Sequence, residues 1–96
     1  MITIDIETIA KRYIVEDLVA RRMWGGKHTE MKSLTKGLPD HLLKDHKSMK
    51  QVQRAIKHLI QDDWLLAKKS TGEIHVSLNS HKQKEIYEFI RENESL

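Results

Sequence analysis

Cysteine is absent from this 96-residue chain. That excludes disulfides, thiol chemistry and zinc sites built on thiolates, and it is compatible with a reducing compartment. No stretch approaches the ~20 consecutive apolar residues of a membrane span. The opening residues, MITIDIETIAKRY, carry acids where a secretory leader needs a basic start and an apolar run. The expected location is therefore cytoplasmic, with no membrane partner, and the Asn-Glu-Ser triplet at 93–95 is expected to be a chance match to a glycosylation acceptor. A glycine-rich phosphate loop is also missing. The most informative absence is local: the chain holds 14 Asp and Glu, yet none falls between Asp45 and Asp62.

A chain of this length suits one small domain, expected to span residues 1–96. It can bury roughly two-thirds of its unfolded surface at best. Seventeen Lys and Arg leave a net charge of +3, a weak pointer to anionic partners. The arrangement of charge carries more than its sum.

Ile6, Ile9, Ala10, Tyr13, Ile14, Leu18 and Val19 recur at spacings of three and four, which predicts a helix over 6–23. Asp5 suits its N-cap and Glu7 its first turn. Arg21 and Arg22 suit its last turn, and Gly25-Gly26 its end. Thr29 as a cap, apolar Met31 and Leu34, and the stop Gly37 predict a short helix over 29–36. A strand over 30–34 is the competing reading. Pro39 can open one further helical turn over 39–45.

Ser48 and Gln51 have the spacing of a capping box, which predicts a helix start at Ser48. Met49, Val52, Ala55, Ile56, Leu59 and Ile60 then fall within an arc of about 140° at helical spacing. The opposite arc holds Lys50, Gln53, Arg54, Lys57 and Gln61. Beyond it, Leu66 and Lys68 alternate, Ile74, Val76 and Leu78 face one way, and His75 and Ser77 face the other. Alternation around Ser-Thr-Gly predicts a β-hairpin with its tip at 68–72. Ser80 and Gln83 form a second capping-box pair, and Ile86, Phe89 and Ile90 give the apolar face of a closing helix over 80–92. The expected fold class is mainly α with a small β-hairpin, α+β.

A capped helix that runs into a hairpin is the plan of the winged helix-turn-helix. The stretch SMKQVQRAIKHLIQDDWLLAKKSTGEIHVSLN, residues 48–79, resembles the recognition helix and wing of that family. QDDWLL fits the helix exit and GEIHVSLN the returning strand. The chain particularly resembles small archaeal winged-helix proteins regarded as transcription regulators. The resemblance implies a three-helix core with a wing and a C-terminal helix. It implies sequence-specific binding of double-stranded DNA in transcription regulation, without catalysis. It would place Lys50, Gln53, Arg54 and Lys57 towards the major groove, with Gln51 beside them. Ser48 and the helix N-terminus would meet a phosphate, and Lys68, Lys69, Ser70 and Thr71 would touch the backbone from the wing. The missing carboxylates then have a physical reason: duplex DNA carries one negative charge per ~1.7 Å, so an acid on this face would repel it. The link 37–47 is longer than the turn usual between the two helices of the motif, which leaves open whether 29–36 or 39–44 supplies the supporting helix.

Other readings have less behind them. His41 and His46 are five apart and miss the helical ligand spacing, while His28-Thr29-Glu30 lacks the Cys pair of the zinc deaminases it resembles. No metal or cofactor is expected. His75 is expected to be solvated. Trp24 and Trp64 flank helix ends, where a large ring seals a core more often than it stacks on bases. Tyr13, Tyr87 and Phe89 are core or interface residues on the same grounds. A winged core needs only one of the two terminal helices, so the other could pack against its copy in a homodimer. The alternative function is a winged-helix adaptor in a protein assembly or an RNA-associated module, because fold alone does not set function.

Overall fold

The first apolar stripe folds as α1, Ile6–Ala20, in the computed structural model, which describes residues 5–94. Residues 1–4 and 95–96, with the last position of the Asn-Glu-Ser triplet, lie outside the described residues. Asp5 caps α1 as its position predicts, its carboxylate accepting from the Glu7 backbone N–H at 3.2 Å. The helix buries Ala10, Ile14, Val15 and Leu18.

It ends before the predicted Met23. Arg22 takes a φ of 56°. Its N–H donates to the Val19 carbonyl at 3.0 Å, and the Met23 N–H reaches the Leu18 carbonyl at 2.9 Å. This double closure with a left-handed residue satisfies carbonyls the helix would otherwise orphan. Arg21 and Arg22 therefore lie past the last helical residue. Gly25, at φ 57°, serves the next turn instead, where the Lys27 N–H donates to the Trp24 carbonyl at 3.1 Å.

The predicted helix over 29–36 does not form as such. Thr29 and Glu30 make a two-residue strand, β1, and Met31–Gly37 winds as a 3-10 helix. Thr29 is thus a strand residue and caps nothing. The competing strand reading shares only Glu30 with β1. A single 3-10 turn, Asp40–Leu42, follows Pro39, which stands just before its first residue. Each 3-10 segment buries one leucine, Leu34 and Leu42.

Helix α2, His46–Gln61, starts two residues earlier than the Ser48 capping box places it. Asp45 is the cap, its carboxylate accepting from the Ser48 N–H at 2.7 Å. An ionised acceptor makes a stronger hydrogen bond than a hydroxyl, and it takes the position. Ser48 then points inward and is only 6% exposed. At the far end Asp63 adopts φ 61° and repeats the closure of α1, with the Trp64 N–H on the Leu59 carbonyl at 3.0 Å.

The hairpin forms where alternation predicts it, as β2, Leu65–Ser70, and β3, Glu73–Leu78. Thr71 and Gly72 turn it with φ of 43° and 82°, the two positive values a type I′ turn requires. The sheet has three antiparallel strands in the order β1-β3-β2, with Thr29 opposite Val76 and Glu30 opposite His75. Residues 23–25 extend the central position of β3, because the Leu78 N–H donates to the Met23 carbonyl at 2.7 Å and the Gly25 N–H to the Leu78 carbonyl at 3.0 Å. The two faces expected of β3 do not divide cleanly into buried and exposed: Ser77, on the face of His75, is buried, and Ile74, on the face of Val76 but past the edge of the core, is 43% exposed.

The closing segment is capped by Asn79, in place of the predicted Ser80. Its Oδ1 accepts from the His81 N–H at 3.1 Å, and its Nδ2 donates to the Asp63 carbonyl at 2.8 Å. After a 3-10 turn, Ser80–Lys82, comes α3, Gln83–Glu92. Ile86 is buried, with Phe89 and Ile90 packed against the core. Trp64 meets Phe89 edge-on at 5.4 Å, and Trp24 meets Tyr87 at 5.9 Å, so both tryptophans seal helix ends against the core. One cluster of buried side chains joins α1, α2, α3 and the sheet in an α+β arrangement. Among the described residues, no helix is long and apolar enough to cross a membrane.

Candidate nucleic-acid interface

The burial of Val52, Ala55, Ile56 and Leu59 against the core decides which way the rest of α2 faces. Lys50, Gln53, Arg54 and Lys57 are all exposed, with Lys47 and Gln61 on the same outer arc. Lys50, Arg54 and Lys57 have no hydrogen-bond or ion-pair partner among the described residues. Gln51 is half-buried at the margin of the arc. Ser48 lies on the opposite, buried side, so its hydroxyl does not belong to this surface. Its backbone N–H is taken by Asp45 as well, which removes it as a phosphate donor. Lys47, a fourth cation of the acid-free stretch, joins the arc because α2 starts at His46. The signal for that start is Asp45, a stronger cap three residues upstream of Ser48.

Two acids near this face, Asp45 and Glu7, are engaged, while the carboxylate of Asp62 at the far end of α2 is exposed. Asp45 lies below its ordinary carboxylate value, first through the Ser48 backbone N–H and then through the Ser48 hydroxyl. Glu7 of α1 accepts from His58 Nδ1 at 2.9 Å and lies 3.4 Å from Lys11 Nζ. Burial acts to raise its pKa, but the His58 hydrogen bond and the Lys11 charge outweigh it, so the Glu7 carboxyl also lies below its ordinary value. His58 and Glu7 thereby tie the α1 side of α2 down and leave the outer arc cationic.

The hairpin residues Lys68, Lys69, Ser70 and Thr71 are exposed, but they do not form one surface. Lys68 stands opposite His75 and Lys69 opposite Ile74, so the two lysines lie on opposite faces of the hairpin. Lys69 shares its face with Ile74. That face borders a groove of about 530 Å³ between the hairpin tip and α2, lined by Met31, Met49, Gln53, Ile56 and Ile74. Gln53 therefore belongs both to the cationic arc and to the groove wall. Glu30 and Glu73 also line the groove, with Lys32 Nζ 3.4 Å from Glu30 and 3.8 Å from Glu73. Burial acts to raise the Glu30 pKa, but the Lys32 charge and a Glu73 hydrogen bond hold it below its ordinary value. This acidic corner has no counterpart in the sequence reading, because β1 brings Glu30 beside β3 only through strand pairing.

No protein-family model, no curated protein and no solved structure matches the chain.

Proposed function

We propose that the protein is a winged helix-turn-helix module that binds double-stranded DNA in a sequence-specific manner, as a non-catalytic transcription regulator. The observation that carries this reading is the outer arc of α2, where Lys50, Arg54 and Lys57 are exposed and without partners among the described residues. Long cations held on a rigid helix suit a major groove: Arg bridges two acceptors on guanine and Gln pairs with adenine, each such contact discriminating by ~1–3 kcal/mol. Lys50 and Lys57 suit phosphates, which position the helix without reading sequence. Lys69 extends the same side from the wing. The strand β1 and the hairpin supply the small sheet of such a fold, and Met31–Gly37, which buries Leu34, is its supporting element in 3-10 form.

The test is a fluorescence-anisotropy titration with duplex DNA at 50 and 200 mM salt. Affinity is expected to fall by about 10² or more for a handful of phosphate contacts. Replacing Arg54 and Lys57 together by Ala is expected to reduce the salt slope by roughly one per lost phosphate contact. Unchanged affinity in that double variant would remove α2 as the DNA-reading element. A homodimer goes with this reading, since paired half-sites lie about one DNA turn apart. Both terminal helices contribute to the core, and Tyr87 leaves a large ring 44% exposed on the outside of α3 as the available contact. Sedimentation of the wild type and of Tyr87→Glu measures it.

A second reading has one observation in its favour. The groove beside the cationic arc is walled by Met31, Met49, Ile56 and Ile74, an apolar strip suited to a protein segment. An adaptor or RNA-associated module would show flat titrations with duplex DNA, and Ile74→Glu would abolish binding of the protein segment in the groove.

A further inference from the structure

Strand pairing collects ionisable and metal-ligating side chains on one face of the sheet. Glu30 stands opposite His75, and Glu73 precedes His75 by two residues on the same strand, so all three share that face. His28, just before β1, joins them. Its ring meets His75 edge-on, with centroids 4.8 Å apart and planes at 77°. The two Nδ1 atoms are 2.8 Å apart, and His75 Nε2 lies 3.5 Å from the Glu73 carboxylate. The pair opens onto a cleft it shares with Arg21, Ser33 and Lys36.

Two neutral imidazoles can approach this closely at Nδ1 only if one carries the proton there and the other presents its lone pair. The Glu73 carboxylate beside Nε2 favours the His75 tautomer with its hydrogen on Nε2, which leaves His75 Nδ1 as the lone-pair side. His28 is then the donor. If the His28 proton moves to its own Nε2, two Nδ1 lone pairs from distant segments of the chain face each other across 2.8 Å. Imidazole nitrogen is a good ligand for zinc, copper and nickel and a poor one for magnesium or calcium.

We propose that His28 and His75 form a two-histidine binding site for a divalent transition-metal ion of the Zn²⁺ and Ni²⁺ class, with Glu73 as the positioning residue for His75. A tetrahedral zinc with Zn–N of ~2.05 Å sets its two nitrogens roughly 3.3 Å apart, about half an ångström wider than the hydrogen-bonded pair. Rotation of the exposed His28 ring has to open that gap and also swing its lone pair out of the Nδ1–Nδ1 line towards a shared ion. Among the described residues, no group of three or more His, Cys, Asp or Glu is placed to hold a metal ion together. The remaining coordination positions are therefore water; Glu30 and Glu73, which share Lys32, stand on the same face, and Arg21, Lys36 and Lys68 lie around it. No proton is lost overall, since the His28 proton only changes nitrogen. The site does not depend on the nucleic-acid reading and lies on the opposite hairpin face from Lys69.

Isothermal titration of the full chain with zinc sulfate, and separately with nickel sulfate, in a non-chelating buffer at neutral pH tests the site. One equivalent should bind. His28→Ala and His75→Ala should each weaken that step by more than tenfold. Glu73→Gln should weaken it by about tenfold, the usual loss on removing a group that orients a ligand. His41→Ala, outside the cluster, should leave it unchanged. If His75→Ala fails to fold, the wild type decides through its imidazole ¹⁵N spectrum: added Zn²⁺ should shift the Nδ1 signals of His28 and His75 while His75 Nε2 stays protonated. Absence of binding by the wild type, full affinity in His28→Ala, or zinc-induced shifts confined to other histidines would overturn the proposal.

Discussion

Three residues other than glycine hold positive φ among the described residues: Arg22, Asp63 and Thr71. Arg22 and Asp63 occupy the left-handed position that closes α1 and α2, and Thr71 the first corner of the hairpin. An L-residue there crowds its Cβ against the following carbonyl, at a cost of about 1–2 kcal/mol, and β-branched threonine fits worst. Arg22→Gly is therefore expected to raise stability by about 1 kcal/mol in urea unfolding, and Thr71→Asn by somewhat less. A lowered midpoint for Arg22→Gly would mean that its side chain holds something the backbone strain does not reveal. The glycines at 25 and 26 looked like the helix stop in sequence. What stops α1 earlier is the packing of Met23 back onto the core, a hydrophobic contact common to such closures.

Among the elements, α1 and α2 carry most of the shared core, and their contact has an apolar centre with a polar lock. Leu59 of α2, 1% exposed, belongs to that core. Leu59→Ala should cost about 2–5 kcal/mol in denaturant unfolding, a large share of the stability of a domain this size. The lock is Glu7 with His58 and Lys11. Because folding depresses the Glu7 pKa, its contribution is complete above the ordinary value of 4.5 and is lost as the pH falls through the lower folded value. Urea midpoints for the wild type and Glu7→Gln should therefore differ near neutrality and converge in strong acid. A constant difference at all pH values would assign the effect of Glu7 to packing. Asp45 works in the same direction at the start of α2. The periodicity of both helices was legible in the sequence, whereas the Glu7–His58 contact required α1 to lie across α2.

Across the whole molecule, charge is sorted between the two faces of the hairpin. Lys69 lies on the face that meets α2, and Lys68 on the face that carries His75 and Glu73. If DNA lies along the outer arc of α2, Lys69→Ala should weaken binding more than Lys68→Ala, and it should lower the salt slope by about one where Lys68→Ala does not. Equal effects of the two variants in anisotropy titrations would mean that the wing approaches DNA edge-on and not by one face. Alternation along the strand already puts neighbouring Lys68 and Lys69 on opposite faces. Their strand partners, His75 and Ile74, decide which face each takes.

The sequence by itself determined the features that are periodic or local. The stripe of α1, the cationic arc of α2, the alternating hairpin and the apolar side of α3 follow from repeats of 3.6 and 2 residues, which a single chain segment displays without help from the rest. The tertiary structure decided what depends on distant partners. β1 is too short to show a period and exists because β3 offers it hydrogen bonds, which turned an expected helix into a strand and a 3-10 winding. Ser48 turned inward because Asp45 took the cap. His28 and His75 met because β1 was laid beside β3. Pairing energy of this kind comes from residues far apart in the chain, so no window of sequence contains it.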